Sequence, residues 1–167
     1  SFSTPKMRDI FDDTTIIQNI LDFEAALAQT QAEMGIIPKE AAEEIQRKAK
    51  VENLNIPRIE EGVKKVGHSL VPILKEFQSV CDNGYGEYIH MGATTQDIID
   101  TAFMLSIKRG FDVIYDDMVE TEGLMLGLIE KYRDTIMAGR SHTQQALPIT
   151  FGYKVAVWAS EVRHNIE

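Results

Sequence analysis

The sequence predicts an all-α fold. Apolar residues recur at spacings of three and four through most of its 167 residues, the inward stripe that a packed helix requires. Pro38, Pro57 and Pro72 each fall where a first helical turn tolerates proline. No segment shows the apolar–polar alternation of a half-buried strand, and no internal repeat stands out.

Asp12-Asp13-Thr14 supplies a start signal, with Asp13 or Thr14 as N-cap. Ile17, Ile20, Leu21, Leu27 and Met34 then recur at helical spacing, and Gly35 follows as a stop. After Pro38, the stretch Ala41 to Lys50 carries its acidic residues early and its basic residues late, the order that the helix dipole favours. Pro57 opens a short helix ending near Gly67, and another runs from about Ser69 to Val80. Asp82-Asn83-Gly84-Tyr85-Gly86 is a turn cluster. A long helix is expected from Thr95 to about Arg133, without proline and apolar on several faces, so other helices must cover it and the chain is expected to oligomerise. Residues 138–148 read as a loop. Phe151, Val155, Trp158, Val162 and Ile166 mark a last helix, which reaches Glu167 with no stop signal, as if the sequence were cut in mid-helix. Charge runs such as Glu43-Glu44 and Lys64-Lys65 are solvated faces.

Composition narrows the class of function. Hydrophobic residues make up 44% and charged residues 26%, which excludes a disordered or collagen-like chain. No apolar run reaches the ~18–20 residues of a membrane helix, and the N-terminal stretch has no signal-peptide core. A single cysteine, Cys81, rules out an intrachain disulfide and fits a cytoplasmic protein. The net charge of −9 lacks the basic footprint of a nucleic-acid binder. An anion could still be held where His, Arg, hydroxyls and a helix N-terminus gather.

None of the four histidines, His68, His90, His142 and His164, forms a zinc-binding pattern. His164 reads as a surface residue, and Cys81 as a buried small apolar one. Two segments gather chemistry. Thr94 and Thr95 precede the long helix with His90 four residues ahead, more than a cap alone requires. Arg140, Ser141, His142, Gln144 and Gln145 share one segment before the last helix. A purely structural loop and a functional one are both compatible with that composition.

The segments HMGATTQDIIDTA and AGRSHTQQALPITFG resemble signature regions of the fumarase/aspartase superfamily. They are most similar to bacterial 3-carboxy-cis,cis-muconate cycloisomerases and next to adenylosuccinate lyases. MRDIFDD, ILDFEAALAQTQAEMGIIP and VGHSLVPIL fit the same pattern. The resemblance implies an N-terminal helical domain at residues 1–94 and the first part of a long-helix bundle at residues 95–167. It also implies a homotetramer whose active sites are shared between subunits, and a longer protein of which this is the N-terminal part. The implied reaction is an acid–base elimination, or the reverse addition, beside a carboxylate. By position His142 matches the general acid. Ser141, Thr94 and Thr95 match hydroxyls that hold a small carboxylate substrate; His90, His68 and Gln144 join the binding set. Acid, base and fixed dipoles suffice for this chemistry, so neither metal nor cofactor is expected.

Two departures bear on substrate. Ser1 and Phe2 stand where adenylosuccinate lyases usually carry an Arg-Tyr pair, and Gly67-His68-Ser69 where they tend to have Arg-His-Asp. Both remove groups suited to a nucleotide. The superfamily's third signature, a flexible GSSxMPxKxNP-type loop with the serine base, does not occur in the sequence. The 167 residues alone are therefore expected to be inactive. A cycloisomerase-like enzyme, a C–N lyase on an N-succinyl compound, and a catalytically silent helical assembly fragment are the three readings.

Overall fold

A computed structural model describes residues 3–167; the two positions Ser1 and Phe2, singled out above, lie outside the described residues. The chain divides into two compact units, one reaching Gly110 and the other Phe111–Glu167. The first holds α1 (Pro5–Ile10), α2 (Asp13–Glu33), α3 (Lys39–Lys48), α4 (Ile56–Val66), α5 (Leu70–Val80) and the first turns of α6 (Thr95–Lys131). The second holds the rest of α6, strands β1 (Ile136–Ser141) and β2 (Gln144–Thr150), and α7 (Phe151–Ile166).

The mostly helical expectation holds, with small shifts in helix ends. The N-cap of α2 is Asp12, not Asp13 or Thr14, and Pro38 sits at the N-cap of α3. Gly67 closes α4 in the left-handed conformation. Helix α1 is an addition: Thr4 caps it by accepting from the Met7 N–H, and Pro5 occupies its first turn.

In the first unit α2 is the spine. Ile17, Ile20, Leu21 and Ala28 pack with Ile45 of α3, Ile59 of α4, Leu70, Ile73, Leu74 and Phe77 of α5, and Ile98 and Ala102 of α6. The stripe that α2 buries is not purely apolar, for it includes Asn19, Glu24 and Gln31. Asn19, wholly buried, donates to the Ala102 carbonyl at 3.1 Å and to Ser106 Oγ at 2.9 Å, and accepts from Arg109 at 3.0 Å. A buried amide with three partners pins α6 to α2 where an apolar contact would let it slide.

In the second unit α7 turns back onto the end of α6. The Phe151 and Gly152 N–H groups donate to the carbonyls of Thr135 (2.8 Å) and Tyr132 (3.0 Å). The rings of Tyr132 and Phe151 meet edge to face at 5.5 Å, and Arg163 forms an ion pair with Glu122. Between the helices the loop expected at 138–148 is instead a two-stranded antiparallel hairpin, so the expected lack of strands is corrected here. Its strands are exposed along nearly their whole length, so no apolar face alternates with a polar one and the period-two signal is missing. Pro148 is tolerated because each strand of a lone hairpin has an edge.

Candidate active site

The sequence-predicted residues fall into two groups, one in each unit. His68, His90, Thr94 and Thr95 belong to the first unit, and Ser141, His142 and Gln144 to the second.

In the first unit Glu24 and Gln31 stand two helical turns apart on the inward face of α2, and together they hold the turn that leads into α6. Glu24, with no exposed side-chain surface, accepts from the His90 backbone N–H through Oε2 at 2.9 Å. Its Oε1 lies 2.9 Å from His90 Nδ1. One turn residue further, the Gln31 amide nitrogen donates to the Met91 carbonyl at 2.6 Å, while Gln31 Oε1 is buried without a partner. Burial pushes the Glu24 carboxyl above its ordinary value, and the two bonds to His90 work against that rise. His90 itself has φ +68°, a left-handed backbone that a side chain rarely takes. The bonds from α2 are what hold it there.

The turn delivers Thr94 and Thr95 to the start of α6. Asp97 reaches back to accept from the Thr94 N–H at 2.9 Å, the acidic side of a capping box. The Thr94 and Thr95 hydroxyls make no hydrogen bond among the described residues. Two unengaged hydroxyls beside the positive end of a 37-residue helix suit a carboxylate. His68 plays a local part, with Nδ1 accepting from the Val71 N–H at 3.4 Å at the start of α5, where Ser69 makes no side-chain cap. A cavity of about 650 Å³ in this unit is lined largely by isoleucines of α2, α4, α5 and α6, with Phe103. None of His68, His90, Thr94 and Thr95 lines it, so this cavity is apart from the polar cluster.

In the second unit Ser141 pairs with Gln144, and His142-Thr143 closes the hairpin between them. Both turn residues have positive φ, +47° and +65°, the pattern of a type I′ turn that ordinarily takes Asn-Gly. His and β-branched Thr in those places cost about 1–3 kcal/mol each. Ser141, His142, Thr143 and Gln144 are all exposed. The helix that follows this segment in sequence does not back His142 with its N-terminus: seven strand residues, about 23 Å, separate the turn from α7. The N-terminus of α7 is capped instead by Thr150, which accepts from the Tyr153 N–H at 3.1 Å.

His164 is exposed, as expected. Cys81 is half-buried, and burial pushes its thiol up to about 11, which keeps it protonated and unreactive. Among the described residues no cluster of His, Cys, Asp and Glu could hold a metal ion, and no helix is long and apolar enough to cross a membrane. Sequence reading missed Glu24 and Gln31. Their signal was a charged and an amide side chain standing in register with Ile17, Ile20, Leu21 and Ala28.

Known proteins resemble this chain along its whole length. It is 40% identical over 166 residues to adenylosuccinate lyase of Methanocaldococcus jannaschii, covering 99% of this chain and 36% of that protein. It is 42% identical over 167 residues to N-acetyl-S-(2-succino)cysteine lyase of Enterococcus italicus, covering 100% of this chain and 36% of that protein. The crystal structure of β-carboxy-cis,cis-muconate cycloisomerase from Acinetobacter calcoaceticus sp. ADP1 superposes with a TM-score of 0.94 at 33% identity, over 99% of this chain and 39% of that one. The chain thus spans little more than a third of these relatives, 36% of each of the two curated proteins. A family model described as "Lyase" matches residues 1–167, and with the helical fold and both signature segments in place, the chain belongs to that lyase family, within the fumarase/aspartase superfamily.

Proposed function

We propose that the protein carries out acid–base elimination, or the reverse addition, beside a carboxylate of a small substrate. The observation that carries this reading is the pair of unengaged hydroxyls, Thr94 and Thr95, at the N-terminus of α6. They and the helix end would hold the carboxylate on which negative charge builds as the neighbouring proton leaves. His142 would protonate the leaving atom. Ser141 and Gln144 beside it, with His90 and His68, would bind the rest of the substrate. The base would come from a segment beyond these 167 residues, and a homotetramer with shared sites would bring the parts together.

In the cycloisomerase-like form of this reading, a substrate carboxylate adds across a double bond to close a lactone. The similarity to the muconate enzyme and the reading Gly67-His68-Ser69, which lacks groups suited to a nucleotide, support it. A second form, elimination from a succinyl adduct of nitrogen or sulfur, is favoured by the 40% and 42% identities to two lyases of succinyl compounds. Purified full-length protein, assayed on 3-carboxymuconate, adenylosuccinate and N-acetyl-S-(2-succino)cysteine, tests both. Turnover of the first alone supports lactone closure, and turnover of either succinyl compound alone supports the second form. No turnover of any of the three would overturn the proposal.

A further inference from the structure

We propose that Glu24 is a positioning residue for His90: it keeps a proton on Nδ1 and leaves Nε2 as the ring atom offered to a ligand. The backbone geometry decides the sense of these bonds. A backbone N–H can only donate, so Glu24 Oε2, 2.9 Å from the His90 nitrogen, must accept. The other oxygen stands 2.9 Å from Nδ1, and an ionised carboxylate there draws the ring proton to that nitrogen. Glu24 is wholly buried while the His90 side chain keeps 26% of its surface exposed, so the ring links the interior to the surface. In its neutral form the ring then carries a lone pair on Nε2, fitted to an O–H or N–H of the ligand. Gln31, holding the next carbonyl, keeps the turn from relaxing when a ligand pulls on the ring. The ligand part of this inference rests on the function proposed above; the protonation part does not.

The substitution Glu24→Gln makes the idea sharp. Its amide oxygen must take the His90 backbone N–H, which leaves the amide NH₂ facing Nδ1. Donation from that group requires a bare Nδ1, so the proton moves to Nε2. Nitrogen-15 NMR of the imidazoles in the full-length protein, at mildly alkaline pH, reads the tautomer directly. The expected result is Nδ1–H in the unaltered protein and Nε2–H in Glu24→Gln. Nε2–H in the unaltered protein would overturn the proposal, whether or not the variant folds. An unchanged His90 tautomer in a folded variant would overturn it as well. On whichever of the three substrates turns over, Glu24→Gln should raise KM about 10- to 100-fold, the order of loss when a metal-binding histidine is stripped of its outer partner, with kcat nearly kept. A fall in kcat with KM unchanged would mark an interaction made only in the transition state, and would overturn the ligand part. If the unaltered protein turns over none of the three, the proposed function fails, and the tautomer measurement still decides the role of Glu24.

Discussion

His142 has the most specific chemistry assigned to any single side chain here. Imidazole is the side chain best suited to giving up a proton near neutrality. In the full-length protein His142→Gln should keep the hydrogen-bonding shape and lower kcat by about 10²- to 10⁴-fold with the fold intact. His164→Gln, on the exposed flank of α7, should leave kcat unchanged in the same steady-state assay. Charge at single residues also sets the response to acid. The Asp82 backbone N–H, and after it Arg47, hold the Glu44 carboxyl below its ordinary 4.5, while Lys48 and then Arg47 hold Asp82 below 3.8. A depressed carboxyl stabilises the fold above its ordinary value and loses that contribution as the pH falls through the depressed one. Glu24 is opposite in sign: raised in the folded state, it favours folding below 4.5 and loses that contribution as the pH rises through its raised value. Melting temperatures followed downward from pH 4.5 should therefore fall less steeply in Glu44→Gln than in the unaltered chain.

At the scale of elements, the crossing of α6 and α7 depends on a missing side chain. A Cβ on Gly152 would lie 2.7 Å from Arg133 Cα and 3.1 Å from both Arg133 N and the Ile129 carbonyl oxygen, all of them backbone atoms. Gly152→Ala should destabilise the chain by about 1–3 kcal/mol, read as a lower denaturation midpoint in urea. The helices were legible from sequence because each buries a stripe at its own period, and α6 emerged within two residues of its expected end. The hairpin was not, because its turn uses His142-Thr143 where the readable signal is Asn-Gly. In the candidate site, Thr94 and Thr95 could be read from their place ahead of a periodic run. Glu24 could not, since periodicity says which face is buried and is silent on which segment 66 residues away will meet it.

Over the whole molecule, apolar surface is left outside the core. Nine large apolar side chains of α6 are exposed, from Phe103 at 53% through Phe111 at 66% to Leu128 at 40%. Leu147 on β2 is 82% exposed. Surface of this kind along one long helix is suited to association. Sedimentation of the 167-residue chain should show concentration-dependent association, and charged substitutions at Phe111 and Leu124 should weaken it. A stable monomer at high concentration would count against a role for α6 in assembly.

The polar stripe of α2 bears on how this protein can change over generations. Asn19, Glu24 and Gln31 occupy positions where leucine or methionine would bury more apolar surface, at the cost of unpairing the groups they hold: Ser106 and Arg109, the His90 N–H, and the Met91 carbonyl. At position 31, where the amide oxygen is already unmatched, a search for thermal stability would reach such a change first; at position 24 the lost hold on the His90 N–H stands against it. Lineages that place leucine at position 24 while keeping histidine at position 90 should thus be ones in which the role proposed for the His90 ring has been lost.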